Sequence, residues 1–192
     1  MTGCARPALA VANVGTEVVG NLDWVINTNA SPLQWIEAGL VDGNASYGNC
    51  NAIVSPHSFF WADQRPNGSY NCHVGQVFSQ GVYYGTTIYQ LAAYGTTWDV
   101  GVGTLAQQST NSLVTANLIE TGTEEDTQPD GLSCSSSSNM QWYDSNGQLH
   151  TGWSDSSNGQ AKLYASNPPG VYWVSQPNWL RSYAPNKSTC GF

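Results

Sequence analysis

The sequence predicts an all-β domain built as an antiparallel two-sheet β-sandwich or jelly roll. Apolar and aromatic residues come in short runs with period-two alternation, and no stretch carries a sustained helical stripe. The connections between runs are brief and rich in Gly, Asn, Ser and Pro, too short for the crossovers that parallel strands need. So many short strands in one chain call for two stacked sheets, and the concave face of such a stack often forms a groove.

In chain order, strands are expected near Val18 to Ile26, Leu33 to Leu40, Ile53 to Ala62, Tyr70 to Phe78, Thr86 to Tyr94, Thr97 to Leu105, Leu113 to Glu124, Met140 to Tyr143, Leu149 to Trp153 and Val171 to Val174. Residues 1–14 read as an N-terminal tail and 15–192 as one domain, since all-β chains of this length usually stay undivided. Between Glu124 and Met140 the chain turns acidic and then serine-rich, which reads as a surface loop. Its acids do not alternate around a glycine as hard-cation loops do.

Charged residues make up 9% of the chain, with five Lys and Arg against 13 acids and a formal net charge of −8. A phosphate backbone needs a basic footprint, so nucleic acid is not an expected partner. No apolar run approaches the ~20 residues that span a bilayer, and a monomer without membrane contact is expected. Five cysteines occur at positions 4, 50, 72, 134 and 190 without zinc-type spacing. Disulfides are the expected use, with Cys50–Cys72 and Cys134–Cys190 as the suggested pairs and Cys4 left over. Four Asn-x-Ser triplets, at Asn29, Asn44, Asn67 and Asn186, also fit a secreted protein. The start Met1-Thr2-Gly3-Cys4 is too short for an intact signal peptide. His57, His73 and His150 are too dispersed to suggest a metal site, and no metal or cofactor is expected. No G-x-S-x-G elbow occurs to anchor a serine hydrolase.

The chain has five glutamates, and two of them sit in strand-like sequence with the mark of a site. In Leu33-Gln34-Trp35-Ile36-Glu37-Ala38-Gly39-Leu40, alternation sends Ile36, Ala38 and Leu40 to the core. Trp35, Glu37 and Gly39 go to the other face, so Glu37 stands beside an indole and a glycine. In Leu118-Ile119-Glu120-Thr121-Gly122-Thr123-Glu124, the residues Glu120, Gly122 and Glu124 share a face unless a bulge at Gly122 intervenes. A bulge would make Glu120 the substitute for Glu124. Trp35, Trp61 and Trp98 are candidates to line the groove.

The segments Ile36-Glu37-Ala38-Gly39, Phe59-Phe60-Trp61 with Tyr70-Asn71-Cys72, and Gly122-Thr123-Glu124, in this order, resemble the neprosin family. Asn139-Met140-Gln141-Trp142-Tyr143-Asp144 is similar to a further strand of that family, and Thr123 stands where the family pattern has a second glycine. The resemblance implies a β-sandwich glutamic peptidase, distantly similar to the eqolisins, with Glu37 and Glu124 as catalytic residues and a polypeptide as substrate. Two close carboxylates share a proton below neutral pH, which supplies an acid and a base together. Because eqolisins carry Gln at the equivalent of Glu37, the resemblance implies Glu124 as base and Glu37 as oxyanion partner; the residues themselves suggest Trp35, Trp61 and Glu120 as the binding set. Two other readings fit the same residues. One is a glycoside hydrolase with two carboxylates across a groove and aromatic rings for sugar stacking. The other is a lectin-like module in which the glutamates do not converge.

Overall fold

The computed structural model describes residues 2–7, 11–12, 18–43, 58–79, 82–91, 95–103, 105–109, 115–125, 131–132, 135–138, 141–143, 146–151, 170–175 and 179–183. Every regular element among them is a strand. In chain order these are β1 Thr2–Pro7, β2 Val11–Ala12, β3 Val18–Asn27, β4 Gln34–Gly43, β5 Ser58–Gln64, β6 Tyr70–Val77, β7 Tyr83–Gln90, β8 Trp98–Val102 and β9 Leu105–Ser109. There follow β10 Leu118–Glu125, β11 Gly131–Leu132, β12 Ser135–Ser138, β13 Gln141–Tyr143, β14 Leu149–Thr151, β15 Gly170–Ser175 and β16 Trp179–Tyr183.

Five strands form a sheet in the order β10-β3-β4-β5-β6. Nine form a second sheet along β15-β16-β12-β1-β7-β8-β9, with β13 and β14 attached beside β1, and β2 pairs with β11. All the pairings are antiparallel, as the short connections require. The hairpin from β5 to β6 turns at Gly68 (φ 80°), whose amide donates to the Arg65 carbonyl at 2.9 Å.

Alternation decides what each face of the five-stranded sheet buries. Ile36, Ala38, Val25 and Trp61 cluster with Ile88, Trp98 and Val100 of β7 and β8. Leu40 and Phe59 pack with Val102, Phe78 and Tyr84. One core thus draws on both large sheets. Phe59 meets Tyr84 edge-on, with centroids 5.0 Å apart. A hydrogen bond from a hydroxyl of β9 to a buried carboxylate of β5 crosses the same interface. The fully buried Asp63 of β5 accepts from Arg65 Nε at 3.1 Å and Asn71 Nδ2 at 3.2 Å, and its other oxygen accepts from Ser109 Oγ of β9 at 2.5 Å.

The strands near Leu33, Tyr70, Leu149 and Val171 form close to the expected bounds. Of the run expected from Ile53, residues 58–64 are strand and 53–57 lie outside the described residues. The run expected over Thr97 to Leu105 forms β8 as far as Val102, turns at Gly103 (φ 56°), and ends where β9 begins, so β9 lies beyond it. Val11–Ala12 of the expected tail, Gly131–Leu132 of the expected loop and Trp179–Tyr183, beyond the last expected run, are strands, and two longer segments differ likewise. Thr2–Pro7, read as tail, pairs with β7 and β12, and Ser135–Ser138, read as loop, pairs with β1 and β16. Neither segment carries an apolar alternation; each is a strand because its neighbours offer backbone partners. Cys72 on β6 is disulfide-bonded. Cys50 and the side chains of Cys4, Cys134 and Cys190 fall outside the described residues, and so do the expected pairings.

Candidate active site

The second face of the five-stranded sheet carries the glutamates. In antiparallel strands, directly opposed residues share a face. Glu120 of β10 opposes Trp24 of β3, Trp24 opposes Glu37 of β4, Glu37 opposes Ala62 of β5, and Ala62 opposes Cys72 of β6. These five residues make one row across the sheet, with Glu37 at its centre.

Glu37 is only 5% exposed, and both its oxygens are engaged. The Trp24 indole Nε1 donates to Oε2 at 2.7 Å, and the Tyr70 hydroxyl donates to Oε1 at 2.8 Å. A buried carboxylate needs such donors, and hydrogen bonds to it are short and strong. Trp35, one row along, is half-buried and tilted against Tyr70 with ring centroids 6.4 Å apart. Toward the far end of the face, Leu22, Val41, Phe60 and Ala62 form a closed apolar cluster against which Trp24, Tyr70 and Cys72 pack. Toward the near end, Leu118 is exposed and Trp35 half-exposed, with Ile26 buried between them. Glu37 therefore stands where the closed part of the face meets the open part.

Glu120 lies at the open margin of the row. It is solvent-exposed, yet partial desolvation raises its carboxyl above the ordinary glutamate range. Its Cα is two strands from that of Glu37, or about 10 Å at ordinary strand spacing. The β10–β3 register runs unbroken from Leu118 opposite Ile26 to Glu125 opposite Val19, so there is no bulge at Gly122 and Glu120, Gly122 and Glu124 share the face. Glu124, however, opposes Gly20 and lies four residues beyond the level of Glu37. At strand geometry its Cα is roughly 16 Å from that of Glu37; its side chain lies outside the described residues.

Of the other residues expected at the site, Trp35 is on the Glu37 face and Trp61 is not. Trp61 is 1% exposed in the core between the large sheets and stacks on His73, with centroids 4.1 Å apart. Next to Ala62 in β5 and opposite Ala38, it points away from Glu37. Trp98 is buried in the same core. Desolvation lowers the His73 pKa, partly offset by Asp63, and both belong to this opposite face. Among the described residues, no three His, Cys, Asp or Glu side chains converge as metal ligands.

Sequence reasoning missed Trp24 and Tyr70. Trp24 sits in Leu22-Asp23-Trp24-Val25-Ile26, apolar on both faces, so alternation does not single it out. Tyr70 was legible only through the β5–β6 hairpin, whose short turn sets it opposite Gln64, one row from Glu37. No protein-family model matches the chain, and no curated protein matches it.

Proposed function

We propose that this chain is a secreted glutamic peptidase of the neprosin type, built on two stacked antiparallel sheets, and that Glu37 works with Glu120. The observation that carries this reading is the row Glu120-Trp24-Glu37: two carboxylates level on one face, one buried and one at an open margin. A water held between them can lose a proton to one carboxylate while the other supplies a proton to the departing amine. The half-exposed ring of Trp35 offers apolar contact for a bound chain. The shared core of the large sheets supports the sandwich, and disulfide-bonded Cys72 supports an oxidising compartment. The resemblance nominates Glu124 as partner; the register favours Glu120.

The test is digestion of a denatured protein across pH 3 to 7, with cellulose and xylan incubated in parallel, by the parent and by Glu37→Gln, Glu120→Gln and Glu124→Gln. Loss of a carboxylate acting in proton transfer costs about 10²- to 10⁴-fold in rate. The expected result is an acidic optimum, that loss in the Glu37 and Glu120 variants, and near-parent activity in the Glu124 variant. Loss in Glu124→Gln with retention in Glu120→Gln assigns the pair to Glu37 and Glu124. Polysaccharide hydrolysis without proteolysis replaces the reading with the glycosidase, for which the aromatic rings beside Glu37 are the favouring observation.

A further inference from the structure

We propose that Trp24 and Tyr70 are positioning residues that hold Glu37 as the proton acceptor of the pair and leave Glu120 as the proton carrier, a division that rests on the peptidase reading. It reverses the order implied by the resemblance, in which Glu37 keeps the proton.

The geometry of the two donors carries the argument. An indole N–H can only donate. With Trp24 Nε1 2.7 Å from Oε2, a proton on that oxygen would turn a charged acceptor into a weaker neutral one, so Trp24 favours the carboxylate form. A phenol can donate or accept. Tyr70 donates to Oε1 at 2.8 Å, and when Oε1 takes a proton the hydroxyl can turn and accept from it. Oε1 is therefore the atom whose new O–H finds an acceptor already beside it. On the described elements, the titratable groups on the Glu37 face are Tyr70 of β6, Glu120 of β10 and, four residues beyond that level, Glu124 of β10. Cys72 is disulfide-bonded, and Asp23, Asp63 and His73 occupy the opposite face. Partial desolvation of Glu120 favours its protonated form, which suits a carrier.

In the step this implies, the water oxygen bonds to the peptide carbonyl carbon and its proton passes to Glu37 Oε1. Glu120 then gives its proton to the amide nitrogen as the carbon–nitrogen bond breaks. The proton on Glu37 returns through solvent to Glu120, and the net change is one peptide and one water to one acid and one amine.

The experiment uses Trp24→Phe and Tyr70→Phe in the full chain, with folding checked by thermal melting. In the peptidase assay, kcat falls about ten- to a hundredfold, as a misplaced catalytic group would cause, while KM stays within about twofold. The acidic limb of the kcat/KM profile moves to higher pH, more for Trp24→Phe than for Tyr70→Phe. A second readout does not need activity: carbon-13 NMR titration of the Glu37 carboxyl, assigned by its loss in Glu37→Gln. Its midpoint rises in both variants. An unmoved midpoint in Tyr70→Phe, the milder change, overturns the clamp whatever the assay shows. A moved midpoint in a protein that cleaves no peptide keeps the clamp and removes the peptidase reading.

Discussion

Glu120 and Glu37 lie level on one face of the five-stranded sheet, two strands apart, with Trp24 between them opposing both. Their surroundings differ. Glu37 is buried and holds two donors, whereas Glu120 is exposed at the sheet margin and incompletely solvated. Pairs of acids whose environments diverge in this way divide acid and base roles.

The incomplete solvation of Glu120 has a consequence for stability. Its folded-state pKa is raised by desolvation, so the neutral form is favoured by the fold. The contribution is complete below the unfolded-state pKa and is lost as pH rises through the folded one. Glu120→Gln, neutral at every pH, is expected to melt above the parent at pH 7 and level with it near pH 4. Melting curves at the two values check this; a lower Tm at pH 7 would show that the Glu120 carboxylate makes a stabilising contact. Higher stability with lost activity is the pattern of a functional rather than a structural residue.

Asp63 is the reverse case. It is fully buried, and Asp63→Ala leaves the Ser109 hydroxyl, 1% exposed, without its acceptor, while the half-exposed Arg65 and Asn71 can turn to water. Leaving a buried hydroxyl without its partner costs about 1 to 3 kcal/mol. Urea unfolding should show that loss for Asp63→Ala and a smaller one for Asp63→Asn, which keeps one acceptor oxygen. A midpoint within error of the parent would mean that Asp63 does not tie the two sheets.

The alternation of β4 was legible because one face meets an apolar core and the other does not, so Ile36, Ala38 and Leu40 separate cleanly from Glu37. In β5 every residue from Ser58 to Asp63 is buried, so the aromatic triplet Phe59-Phe60-Trp61 has no contrast to show which ring shares a face with Glu37. The choice between Glu120 and Glu124 was hidden for another reason. Two residues four apart on a strand always share a face, and parity says nothing about level. Level is set by the register of β10 on β3, which depends on the connection and on packing rather than on either strand alone. The serines of β12 show the same limit: four identical polar residues carry no pattern, and their strand comes from β1 and β16.

Gly103 is a position where backbone and packing both exclude a side chain. Its φ is +56°, and a Cβ there would stand 2.3 Å from Phe59 Cζ. The left-handed backbone and the overpacking together should make Gly103→Ala destabilising by about 2 to 4 kcal/mol. Because the two residues touch, Phe59→Leu combined with Gly103→Ala should lose less than the sum of the two changes. Denaturation of the four proteins of this cycle measures the coupling, and strict additivity would contradict the contact.

Gly122 presents the opposite environment beside the proposed dyad. It lies two residues from Glu120 on the same face, is half-buried, and a Cβ added to it meets nothing within 4 Å. A glycine inside a strand costs roughly 0.5 to 1 kcal/mol relative to alanine, so Gly122→Ala should leave the fold unchanged or slightly firmer. If a substrate chain crosses the face beside Glu120, the empty space above Gly122 is where its backbone comes closest to the sheet. Gly122→Val should then raise KM about tenfold or more, with unfolding midpoints at or above the parent value. Peptide cleavage by Gly122→Val with the parent KM would place the substrate elsewhere on the sheet, and a lowered midpoint would show that something packs on this glycine.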